Sequence, residues 1–401
     1  MSDQRPSVWL SLGEIAAQAD EVRRTRPKLV LALLAAVILL SPVWMWWLRP
    51  PTRARVVILD KTVPHEDWRE HEAFAWWLEH RRIRRLDGVA YDPTRDYVGY
   101  HPDRSFRDSL TAADVADAAL IYLADTYGVY TGDYRNASAG DSATTSLDRS
   151  RLIYGGLLPQ EMAHIAAAHA NGAVVVAEFN SYASPTWGTP TGAAAEAFFG
   201  ARHAGWVGRW YSNLGSNEET PPWMRDQYER FAHAPWSFSG EGVVLVSETD
   251  DRIVVLTGDD LAEGPPVLLE RDVVDDPVVR GVHDGTPYWY WFGGLDPLPS
   301  SRVLASFRLN VTARGRAQLA AARFPERFAA VVARREGALR VTIAGELADI
   351  GGRPPMLPQS RGIDGLRRWW VRRDSPRGDT RYLLWNASIP VWDGVWGEVR
   401  R

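Results

Sequence analysis

"VVVAEFN", Val174 to Asn180, runs from residues suited to the middle of a sheet into a glutamate and an asparagine. A strand that is apolar throughout belongs to a sheet covered on both faces, as parallel sheets are. Such a strand delivers whatever follows it to the carboxyl edge of the sheet, where α/β proteins bind their ligands. The stretch therefore predicts a parallel α/β core and also the place where Glu178 and Asn180 are used.

Neighbouring segments repeat the pattern. "RVVILD" (Arg55 to Asp60) and "ALIYLAD" (Ala119 to Asp125) read as strands of the same kind. Between them "DWREHEAFAWWLEHRRI" has helical periodicity, with Asp67 and Glu70 spaced for a capping box. Pro159 opens a helix that Asn171-Gly172 ends just before Val174, and Thr189-Pro190 opens another that Gly200 closes. "GWVGRWY" (Gly205 to Tyr211) follows as a strand, and the small, polar residues from Thr131 to Ser150 read as a long loop.

From Trp236 the pattern changes. "GVVLVSETDDRIVVLTGDD" is two β-branched runs around a Thr-Asp-Asp turn, which predicts a hairpin. "RVLASFRLN", a helical segment from Ala313 to Arg335 broken at Pro325, and "ALRVTIAGELAD" form a strand–helix–strand unit able to rejoin the first sheet. Alternating strands and helices indicate an α/β, three-layer core around a parallel sheet with an appended β-hairpin region. The alternative is a (β/α)8-type barrel, which also places acids at strand ends but needs more strand–helix units than precede the hairpin.

Upstream, "LVLALLAAVILLSPVWMWWL" (Leu29 to Leu48) carries no charge and matches the ~20 residues that a helix needs to cross hydrocarbon. With Trp44, Trp46 and Trp47 at its end it reads as an uncleaved signal anchor. Arg23, Arg24, Arg26 and Lys28 precede it, against Arg49, Arg53 and Arg55 after it, so the positive-inside rule favours a cytoplasmic N-terminus. The expected organisation is a cytoplasmic tail (1–28), a single-pass anchor (29–48), an α/β core (55–235), and a hairpin region with the strand–helix–strand unit (236–401). That unit either completes the core or forms a second subdomain.

Composition narrows the function classes. Among 401 residues 45% are hydrophobic, enough for a globular core, and the formal charge of −4 without a basic tract gives no drive toward nucleic acid. The absence of cysteine removes disulfides, thiolate nucleophiles and Cys-bound metals together. Lysine occurs only at Lys28 and Lys61, an arginine bias typical of a GC-rich bacterial genome, and the localisation expected is a bacterial inner membrane. The 19 tryptophans suggest contact with sugars or a membrane interface.

Four predicted strands end in acids: Asp60, Asp125, Glu178, and Glu346 with Asp349. Carboxylates gathered on one edge raise one another's pKa unless they are used or neutralised. Asp125 and Glu178, with Asp60 orienting them, are the candidate catalytic acids. Lys61, Tyr127, Tyr130, Asn180, Trp206, Arg209, Glu346 and Asp349 are the candidate substrate-binding residues. No G-x-S-x-G elbow, phosphate loop or G-x-G-x-x-G is present, and the histidines lack the i, i+4 spacing of a helical zinc pair. No cofactor and no metal ligand are predicted, although carboxylates leave Mg²⁺ or Ca²⁺ open.

The stretch from "AALIYLADTYGVY" through "GGLLPQEMAHIAAAHANGAVVVAEFN" resembles the middle of class I glutamine amidotransferase-like domains. The shared parts are a strand ending near a Gly-containing turn (Asp125 to Tyr130), a "G-x-L-x-x-E" helix start (Gly156 to Glu161), and a helix closing on Gly172 before the next strand. The resemblance implies a flavodoxin-like layout over roughly residues 55 to 215. It does not extend to glutamine hydrolysis, because the nucleophilic cysteine of that family is absent here.

Two functions follow as expectations. The first is a membrane-anchored, extracytoplasmic domain that binds a saccharide or an envelope protein in an envelope or polysaccharide-export assembly. The alternative is a glycan-active hydrolase using Asp125 and Glu178 as an acid/base pair.

Overall fold

The computed structural model describes residues 27–102, 109–133, 151–217, 219–350, 359–374 and 378–399. The predicted cytoplasmic tail, apart from Pro27 and Lys28, and most of the Thr131–Ser150 loop lie outside the described residues. The chain divides into two compact units, Met1–Pro50 with Leu357–Gly365, and Pro51–Met356 with Leu366–Arg401.

In the first unit the apolar segment is two helices, Pro27–Leu39 and Ser41–Leu48, bent by 56° at their junction. Among the described residues no single helix is long and apolar enough to cross a membrane; only this bent pair passes such a test together. The uninterrupted helix expected over 29–48 is thereby corrected, and Pro42 is the cause. It has no N–H to donate to the Ile38 carbonyl, which accepts instead from the Ser41 hydroxyl at 2.6 Å. Leu29, Leu31, Leu33, Ile38 and Leu39 are exposed on this pair.

The second unit is built on a nine-stranded mixed sheet. Its order is Thr286–Pro287, Val267–Arg271, Arg302–Leu309, Arg327–Arg334, Arg340–Ile343, Val174–Ala177, Leu120–Asp125, Val56–Asp60 and Val98–Gly99. From Arg340–Ile343 to Val98–Gly99 all pairs are parallel; from Thr286–Pro287 to Arg340–Ile343 all are antiparallel. The sheet has two open edges, so the barrel alternative does not hold, and the wholly parallel sheet is corrected to a mixed one. Every residue of Val56–Asp60, Leu120–Asp125 and Val174–Ala177 is buried, as their continuous apolar runs require.

A second sheet is antiparallel, in the order Ile253–Thr257, Gly242–Ser247, Ala201–Tyr211 and Phe292–Pro297. The predicted hairpin is its outer pair. The "GWVGRWY" strand belongs here instead of in the parallel sheet. The two sheets meet where Gly293 N donates to the Ala344 carbonyl at 2.7 Å. This junction brings Arg209, on the Ala201–Tyr211 strand, toward the turn after Arg340–Ile343.

Two helical expectations are also revised. The segment after Ala313 is helical only to Ala322, and Arg327–Arg334 is a central strand. Its "FAAVVA" run is alanine-rich, so the pattern alone does not separate a buried strand from a buried helix. The Arg69–His80 helix starts from Trp68 in a left-handed conformation (φ 46°) with no side-chain cap. No Asp67–Glu70 box forms there.

Much of the tryptophan serves the core. The C-terminal helical run, Thr380–Leu383, Leu384–Ser388 and Ile389–Val399, buries Trp385, Trp392 and Trp396. Phe74 stacks on Tyr122 at 3.8 Å and meets the edge of Trp392 at 5.5 Å, while Trp77 Nε1 donates to Asp393 at 3.0 Å. Such aromatic pairs add about 0.5–1.5 kcal/mol each beyond the area that they bury. Tryptophan abundance is therefore no sign of a sugar platform at the strand edge.

Candidate ligand site at the carboxyl edge of the parallel strands

Asp60 and Asp125 end adjacent parallel strands and face each other in register after an irregularity at Leu59. Thr62 ties them together: its N–H donates to Asp60 Oδ1 at 2.9 Å and its hydroxyl to Asp125 Oδ1 at 2.8 Å. The Tyr127 N–H also donates to Asp125 Oδ1, at 2.5 Å, and the Asn180 amide donates to Asp125 Oδ2 at 3.1 Å. Gly99 lets the edge strand pass this close, since a Cβ there would lie 1.4 Å from the Asp60 carbonyl oxygen.

Asp60 is fully buried and its Oδ2 lies 2.5 Å from His71 Nδ1. His71 Nε2 faces the Pro93 carbonyl at 2.7 Å, an atom that can only accept, so Nε2 carries a proton. With Nδ1 against Asp60 and Nε2 against Pro93, both ring nitrogens are engaged within the protein. His71 was not anticipated from sequence; its place on a helix face gives no signal until the helix is packed.

Asp125 has its pKa pushed up to about 7, first by burial and then by the Asp60 carboxylate, against the opposing Tyr127, Asn180 and Thr62 donors. A second group of acids stands beside it. Glu70, Asp125 and Glu346 each place one carboxylate oxygen within 4.8 Å of the other two. Arg69 Nη2 donates to Glu70 at 2.9 Å, and its Nε lies 2.8 Å from Asp349 Oδ1. Burial raises the pKa of Glu70, Glu346 and Asp349, and the Asp349 charge adds to the effect on Glu70 and Glu346. Arg69 and Arg209 act the other way on Glu346 and Asp349.

Glu178 has a different fate. Its Oε1 accepts from the Tyr122 hydroxyl, and its Oε2 accepts from the Leu347 and Ala348 N–H groups at 3.1 and 3.2 Å. Burial pushes its pKa up to about 8 against these three donors. The carboxyl is thus held by three protein donors, and it fixes the turn that presents Glu346 and Asp349. Tyr288 completes that turn: its hydroxyl accepts from Glu346 N at 2.6 Å, and a Cβ on Gly345 would lie 2.5 Å from it.

The remaining predicted residues divide. Asn180 and Arg209 lie with the acids; the Arg209 guanidinium also covers Tyr211 at 5.3 Å and Trp291 at 5.9 Å. Lys61 turns away from Asp60, against expectation, and donates to Glu161 Oε2 at 2.7 Å and to the Gly156 carbonyl at 2.8 Å. Burial lowers its pKa against the Glu161 charge. Trp206 packs on Phe324 at 5.8 Å and under Arg252 at 5.4 Å, a core role in place of the expected ligand contact. Tyr127 and Tyr130 pack ring against ring at 4.8 Å, and Tyr127 serves Asp125 through its backbone. Glu70 and Arg69 were missed, because the capping-box spacing offered Glu70 a local explanation.

No family model and no curated protein matches the chain. Solved structures similar to it include a ThuA-like protein from Bacteroides uniformis, at 11% identity over 86% of this chain and 93% of that one, TM-score 0.39. A cytoplasmic protein of Salmonella typhimurium shows 11% identity over 87% and 99%, TM-score 0.37. A glutamine amidotransferase from Thermotoga maritima shows 10% identity over 88% and 97%, TM-score 0.33. At these values the similarities assign no activity to the chain.

Proposed function

We propose that the chain is a membrane-anchored protein whose α/β unit binds a polar ligand, a saccharide or an envelope partner, at the carboxyl edge of its parallel strands. The observation that carries the reading is the convergence of Asp125, Asn180, Glu70, Glu346, Asp349, Arg69 and Arg209 on one rim. Hydroxyl-rich ligands are held by such mixtures of carboxyl, amide and guanidinium groups. Binding is preferred to hydrolysis because Glu178, the expected partner of Asp125 in acid/base chemistry, is hydrogen-bonded to Tyr122, Leu347 and Ala348 and is not among the acids grouped with Asp125.

The anchor is supported by the exposed leucines of the bent helix pair and by Trp44 and Trp47 near its end. The slight excess of basic residues before it favours an extracytoplasmic α/β unit at a bacterial inner membrane. A hydrolase remains the second reading on one observation: an acid titrating at about 7, as Asp125 does, suits a general acid at neutral pH.

The full chain in detergent, titrated calorimetrically with envelope oligosaccharides, tests this. Binding that weakens about tenfold or more in Asn180→Ala and Arg209→Ala is the expected result. Affinity unchanged in both variants would remove the site from the account. Turnover of the same oligosaccharides, abolished by Asp125→Asn, would favour the hydrolase.

A further inference from the structure

Glu346 is 6% exposed; its Oε2 receives no N–H or O–H donor, and the polar side chain that its carboxyl meets is the Asp349 carboxyl, another acid. Burying a carboxylate oxygen without a donor is destabilising unless something compensates it. The same side chain brings an oxygen within 4.8 Å of oxygens from Glu70 and Asp125, both buried. Around them four carboxyls, those of Glu70, Asp125, Glu346 and Asp349, face two guanidinium groups, Arg69 and Arg209. When all four ionise, two negative charges are left without compensation.

We propose that Glu70, Asp125 and Glu346 hold a hard divalent cation, Ca²⁺ or Mg²⁺, at the carboxyl edge of the parallel strands. Each residue has coordination capacity to spare. Asp125 Oδ2 accepts a single hydrogen bond, from Asn180, and Glu346 Oε2 accepts none. Oxygen-only donors select hard cations over zinc or copper. Three oxygens within 4.8 Å of one another are close enough to share one such ion. Three elements supply the ligands: the start of the Arg69–His80 helix, the end of the Leu120–Asp125 strand, and the turn fixed by Glu178 and Tyr288. The ion would cross-link them.

The inference does not depend on the ligand proposed above, and its test contains neither saccharide nor partner. The full chain in detergent, stripped with a chelator, is titrated with CaCl₂ and with MgCl₂ by calorimetry and by thermal unfolding. Saturable binding of one of these ions that raises the unfolding midpoint is expected. Glu346→Gln should lose about tenfold or more in affinity for that ion. Glu270→Gln, which alters a surface pair with Arg308 and Arg327, should lose nothing. If Glu346→Gln does not fold, Glu70→Gln supplies the same comparison. The absence of saturable binding of either ion at millimolar concentration, or undiminished affinity in the folded variant, overturns the site.

Discussion

The Lys61–Glu161 pair and the Glu70–Asp125–Glu346 group are both buried, yet they are built in opposite ways. Lys61 finds a carboxylate and a carbonyl, and Glu161 is further met by the N–H groups of Leu110 and Leu158. Every charge there has its counterpart, so the pair joins the Val56–Asp60 strand to the start of the Pro159–Ala170 helix. In the acid group, like charges face one another with two guanidinium groups between them, and Glu346 keeps an unmatched oxygen. A closed set of charges is architecture. An open one is held at a cost to stability, and such a cost is ordinarily met where a ligand is received.

Breaking the closed set should have the largest effect. Lys61→Met leaves Glu161 buried and uncompensated, and about 3–5 kcal/mol of stability should disappear in urea denaturation. A much smaller loss would mean that the pair is not sealed, and the contrast with the acid group would shrink.

The buried acids, Asp125 within the open set and Glu178 beneath its turn, should reveal themselves through pH. Asp125 and Glu178 have folded-state pKa values raised to about 7 and about 8 from ordinary values of 3.8 and 4.5. Between those limits the folded chain binds more protons than the unfolded chain. Stability should therefore be greater at the acid end of this range and fall as pH rises from ~4 to ~8. Asp125→Asn should flatten the fall between ~4 and ~7 and Glu178→Gln that between ~4.5 and ~8, measured as unfolding free energy against pH. Stability that rises steadily over this range would contradict the description of an uncompensated acid group.

The smallest effect sharpens the boundary between the two sets. Asn180→Ala removes one donor from Asp125 and should cost about 1 kcal/mol. It should also move the Asp125 titration, followed by carboxyl NMR, upward. No movement would place Asn180 outside the group.

The apolar runs at Val56–Asp60, Leu120–Asp125 and Val174–Ala177 were legible in the sequence, because a strand buried on both faces has no choice but to be apolar throughout. For the same reason the acids that end them could be placed on one edge. The capping, the strand at Arg327–Arg334 and the destination of "GWVGRWY" were not legible. Local patterns there fit two structures equally well, and long-range pairing chose between them.

Side-chain direction was the larger gap. Asp60, Lys61, Asp125 and Glu178 are equally polar in the sequence. Only packing gave Asp60 to His71, Lys61 to Glu161, and Glu178 to Tyr122 and the 347–348 amides, leaving Asp125 to meet Glu70 and Glu346. Composition and periodicity determine where a chain must be apolar and where it can end in charge. Which charges are satisfied depends on distant partners, such as Leu347 for Glu178, 169 positions away, and those are brought within hydrogen-bond reach only by the folded sheet.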